Sequence, residues 1–177
     1  MRLTTALAVR DNLEVGLVVP VGLIESDAAF LRNDRTLMSG FDSIHHRDET
    51  LVGIGDVRLV TRYRVTAPTS EFIFDVRAGV SLPTGNTEPN PFELGRAGQP
   101  HQHIFFGTGT FNPLGGLSAI LPAGPVVLDA DVSATGALYS NEHGYRAPTL
   151  INGRVGVSMS AGQWSGDLSL GYLREFP

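Results

Sequence analysis

The sequence predicts an all-β protein, an antiparallel transmembrane β-barrel, and three observations carry that expectation. Apolar residues recur at every second position through most of the chain, the period of a strand rather than of a helix. Short turns built from Gly, Pro, Asn and Asp alternate with long loops. Charged residues make up 18% of the chain, below the roughly 25% of an ordinary soluble domain, so part of the surface need not face water.

The elements follow in order. Residues 2–10 form a first strand. In 13–21, Leu13, Val15, Leu17, Val19 and Val21 make one apolar face. In 56–65, Val57, Leu59, Tyr63 and Val65 lie opposite Arg58, Arg62 and Arg64. In 71–82, Phe72, Phe74, Val76, Ala78, Val80 and Leu82 oppose Asp75, Arg77 and Ser81. A glycine-rich run over 104–120 reads as a curved strand, with glycine relief at Gly107-Thr108-Gly109-Thr110 and a bend or bulge at Asn112–Gly116. In 126–139, Val126, Leu128, Ala130, Val132 and Leu138 oppose Asp129, Asp131, Ser133 and Thr135; 150–160 and 164–173 repeat the pattern. The count is about eight strands in a single domain over 1–177.

Asp11-Asn12, Ala67–Ser70, Pro122–Pro125 and Ala161–Gln163 are the tight turns, and about 23–52, 83–102 and 140–149 are the long loops. Short turns at one end and long loops at the other describe a barrel of the Gram-negative outer membrane. With eight strands both termini fall at the long-loop end, whereas complete bacterial barrels keep them at the short-turn end. The expectation is therefore that a strand is missing or misread at each end and that the complete barrel has ten to twelve.

A soluble sandwich or lipocalin-like barrel alternates with the same period, its apolar face inward. Three features favour the inverted arrangement. The strands approach the ten residues of a tilted membrane crossing, the polar face mixes Arg with Asp, and the apolar face is almost uninterrupted. Trp164 beside a short turn fits an aromatic girdle. The residues expected to line the lumen are Glu14, Arg58, Arg62, Arg64, Asp75, Arg77, Asp129, Asp131, Arg154 and Asp167. They act either as a selectivity lining or, in a narrow barrel, as ion pairs filling the interior.

Composition excludes several classes. Net charge is −5, lysine is absent and the 13 basic residues are dispersed arginines, so no nucleic-acid footprint exists. The absence of cysteine removes disulfides and thiolate metal sites. No window approaches 18 consecutive apolar residues, which rules out a membrane helix. Gly107-Thr108-Gly109-Thr110 lacks the Lys and helix of a phosphate-binding loop.

Gly53-Ile54-Gly55-Asp56-Val57-Arg58-Leu59-Val60-Thr61-Arg62-Tyr63-Arg64, followed by Gly79-Val80-Ser81-Leu82-Pro83-Thr84-Gly85, resembles the outer-membrane "transporter" barrels grouped with the MetA-pathway phenol-degradation proteins. Asn12–Leu17 through Val19-Pro20-Val21 fits the same pattern, and the resemblance covers roughly residues 6–120. It implies an outer-membrane barrel and passage of small hydrophobic compounds, and it carries no functional residue over.

All five histidines fall in the long loops: His45 and His46, then His101 and His103, then His143. Asp42, Asp48, Glu49 and Glu142 lie near them. His-X-His in an extended segment puts two imidazoles on one face about 6–7 Å apart at the backbone, close enough to converge on one ion. Imidazole with carboxylate suits Zn, Cu, Ni or Fe. The alternative, which the polarity of loops favours, is that these histidines hydrogen-bond between loops and hold them over the mouth, or sit there incidentally. The primary expectation is a non-enzymatic channel or transporter for small solutes, embedded in membrane lipid, with the His-bearing loops gating or binding at its outer mouth. The alternative is a non-transporting binding or structural barrel that captures a metal ion or partner through those loops. A surface hydrolase would need Ser140 and His143 as nucleophile and base, and nothing supports that pairing.

Overall fold

The computed structural model describes residues 1–27, 29–38 and 48–177, so Asp42, His45 and His46 lie outside the described residues. One antiparallel sheet dominates: β1 (Arg2–Arg10), β2 (Leu13–Ser26), β3 (Glu49–Ile54), β4 (Arg58–Arg64), β5 (Ile73–Ser81), β6 (Asn112–Ala123), β7 (Val126–Thr135), β8 (Thr149–Ala161) and β9 (Trp164–Phe176). Among the described residues a single short helix, α1 (Pro91–Arg96), interrupts the loop after β5. Each strand pairs with its sequence neighbour in a meander, except that β3 and β4 share β2. Val21–Ser26 pairs with β3 and Leu13–Val18 pairs with β4, so β3 and β4 occupy one strand position broken at Gly55-Asp56-Val57. The eight positions form a curled half-barrel.

The alternation survives as two chemically distinct faces because the register is continuous. The row Arg64↔Asp75↔Ser118↔Asp131↔Arg154 runs across one face, and the row Val76↔Leu117↔Val132 runs across the other. The glycines show which way the sheet curls. On the polar face a Cβ at Gly79 would overlap the Leu59 carbonyl, and one at Gly116 would lie 2.8 Å from the Val132 carbonyl. On the apolar face a Cβ at Gly153 or Gly166 would meet nothing. The polar face is therefore concave and the apolar face convex.

Burial follows the same division and inverts the usual rule. Asp75 is 3% exposed, and Asp56, Ser81, Thr110 and Asn112 are buried with it. Among the described residues the only buried apolar side chain is Ala137. Leu7, Val155, Leu168, Leu170 and Tyr172 stand open on the convex side.

Several expectations need correction. The first long loop is partly strand: β2 runs on to Ser26 and β3 starts at Glu49, continuing the convex apolar face through Leu23, Val52 and Ile54. Gly22 and Gly53 obscure that pattern by leaving gaps on the opposite face. The run 104–120 is strand only from Asn112, and Asn112–Gly116 pairs with β5 in unbroken register, without a bulge. The strand read over 126–139 ends at Thr135. The sheet is also open among the described residues, where β1 pairs only with β2 and β9 only with β8. Both described ends lie at the long-loop side, where the Met1 amine donates to the Val21 carbonyl at 2.8 Å.

Candidate functional site

The ten residues read as lumen-lining share the concave face, as the strand register requires. Eight of them join into pairs. The Arg62 guanidinium donates to Glu14 at 2.7 Å, and Arg64 donates to Asp75 at 3.3 Å. Arg154 lies 2.6 Å from Asp129. Arg77 reaches across β6 to Asp131, a span that only a residue without a side chain at the crossing point allows. That residue is Gly116, where a Cβ would crowd the Arg77 guanidinium at 3.1 Å. Gly156 likewise leaves room for the Asp129 carboxylate. Arg58 and Asp167 stand outside these pairs.

The loop over 82–111 folds back onto the long-loop end of this face. Asp56 holds it. One carboxylate oxygen accepts from the Gly85 N–H at 3.1 Å; the other accepts from the Thr108 N–H at 2.8 Å and the Thr108 hydroxyl at 2.6 Å. Thr84 adds a second tie, accepting from the Val57 N–H and donating to the Gly55 carbonyl. Gly85 and Gly107 approach so closely that a Cβ on either would overlap the other's backbone. Phe106 lies against the cross-strand pair Gly22↔Gly53, and a Cβ on either glycine would overlap its ring. The third loop docks on the second through Asn141, whose amide donates to the Thr108 carbonyl at 3.1 Å and whose oxygen accepts from His143 and Tyr145 N–H groups. A loop cap therefore covers the mouth of the concave face, centred on Asp56 and Thr108.

The histidines divide. His101 is 5% exposed, and its Nδ1 lies 2.9 Å from the Gln99 carbonyl. Its ring meets that of His103 edge-on at 5.1 Å, and His103 meets Phe92 at 5.5 Å. His143 sits 3.6 Å from Glu142. His103 and His143 line one cavity of about 440 Å³ with Phe92, Phe105 and Tyr145. Among the described residues no three His, Asp or Glu side chains form a metal-ready group.

Sequence reading missed Asp56, Phe106 and Thr108 as site residues. The available signal was Gly55-Asp56 breaking an apolar strand, because a carboxylate at a strand break needs donors from elsewhere. No protein-family model matches the chain, and no curated protein matches it.

Proposed function

We propose that this chain forms a β-barrel channel in the outer membrane of a Gram-negative bacterium, passing small solutes through a charged lumen capped by its long loops. The observation that carries the reading is the inverted burial: ion pairs and buried carboxylates on the concave side, exposed Leu, Val and Tyr over the convex side. A water-soluble monomer rarely exposes contiguous apolar patches beyond a few hundred Å². Lipid satisfies that face, and a paired polar interior suits a lumen. The resemblance to the outer-membrane transporter barrels supports the same reading, as do strand lengths of 12–13 residues in β6, β8 and β9. Completing a closed wall requires the two open edges to be paired, and ten to twelve strands would leave an aqueous path beside the loop cap.

Planar-bilayer recording tests it. Discrete current steps are the expected result. Insertion without any conductance would leave a solid barrel and overturn the channel.

A loop-binding reading has one observation in its favour, the shared cavity of His103 and His143. It expects Zn²⁺ or Ni²⁺ to bind the folded protein and to be lost in the double variant His101→Ala, His103→Ala. Equal metal uptake by that variant removes these residues as ligands.

A further inference from the structure

Most arginines of the concave face have carboxylate partners. Arg62, Arg64, Arg77 and Arg154 are neutralised by Glu14, Asp75, Asp131 and Asp129. Arg58 and Arg2 form no ion pair among the described residues. The two flank β2 on its concave side, since Arg2 pairs with Pro20 and Arg58 with Val18. Arg58 is half-buried, and its electrostatic neighbours are Arg2, of like charge, and Asp56. The hydrogen bonds that the Asp56 carboxylate accepts come from Gly85 and Thr108 of the loop cap rather than from Arg58, on which Asp56 acts only through its charge.

Arg58 borders a cavity of about 330 Å³ beneath the loop cap, lined also by Asp56, Ser81, Asn112, Tyr145 and Glu175. A half-buried guanidinium with no carboxylate in ion-pair contact still has N–H donors to offer an arriving anion. Its fork of N–H donors matches the two oxygens of a carboxylate or phosphate. Ser81 and Tyr145 bring hydroxyls to the same walls.

We propose that this cavity is a binding site for a small oxyanion, a carboxylate or phosphate group, anchored by Arg58 with Arg2 adding positive potential. The site stands on its own geometry; that the bound anion is the transported solute rests on the channel reading. Asp56 and Glu175 both line the cavity and oppose the anion; Asp56 also holds the loop cap, so Glu175 is the one whose neutralisation should tighten binding without disturbing the cap.

Calorimetric titration of the folded protein in detergent micelles decides it, with inorganic phosphate and succinate as separate probes. Saturable binding of at least one probe is expected. Arg58→Gln should weaken it tenfold or more, and Arg58→Lys should fall between, keeping charge but losing the fork. Glu175→Gln should strengthen it severalfold. Arg174→Gln removes a positive charge as Arg58→Gln does, but from outside the cavity, and should leave binding unchanged. Unaltered far-UV circular dichroism separates loss of binding from loss of fold. No saturable heat with either probe, or equal affinity in correctly folded Arg58→Gln, overturns the site. Binding without conductance would overturn the channel and keep the site; conductance without binding would do the reverse.

Discussion

Leu117→Arg is expected to destabilise the protein in a lipid bilayer by about 2–4 kcal/mol, the range for a cation placed at mid-membrane on a lipid-facing strand. Leu117 sits at the middle of β6 on the convex face and is 42% exposed. In a water-facing protein the same change at an exposed site would be worth within about 0.5 kcal/mol. The neighbouring Ser118→Arg provides the contrast. Ser118 is on the concave face, directly between Asp75 and Asp131 in the register, so an added guanidinium meets two carboxylates. Denaturant unfolding from phospholipid vesicles should show a large loss for the first variant and little change for the second. Equal small effects for both would remove lipid from the convex face.

Asp56→Ala is expected to release the loop cap. Three hydrogen bonds to a carboxylate disappear, each of the charge-assisted kind worth about 1.5–3 kcal/mol. They act as one unit, so the sum overstates the effect. A combined loss of about 3 kcal/mol corresponds to roughly a hundredfold rise in the open fraction of the loop. Arg96 closes α1 within this loop and is exposed, which makes it the reporter. Tryptic cleavage after Arg96 should accelerate sharply, and single-channel current should rise as Phe106 leaves Gly22 and Gly53. Asp56→Asn keeps one acceptor oxygen and should lie between. Cleavage and current both unchanged in Asp56→Ala would show that Asp56 does not hold the cap.

The parts legible in sequence were those set by short-range periodicity. Leu13 to Val21, Phe72 to Leu82 and Val126 to Val132 alternate cleanly because each residue's face depends only on its neighbours. Turns at Gly124 and Gly162 were equally local, since φ of +65° and +61° favours glycine there. The errors arose where glycine stands for a distant partner. Gly22 and Gly53 looked like loop because nothing local shows that Phe106 fills the space above them. Gly107-Thr108-Gly109-Thr110 alternates like a strand, but its hydrogen bonds go to Asp56, 52 residues away along the chain, and to Asn141.

The sequence by itself determined an antiparallel meander with one charged and one apolar face, because strand period and turn chemistry are local properties. It could not determine which face is inside, since inward and outward alternation are the same pattern. The tertiary structure decided that. Glycines at Gly79, Gly116 and Gly156 let the sheet curl toward its charges, pairing Arg77 with Asp131 across β6 and leaving Arg58 as the half-buried cation beneath the cap.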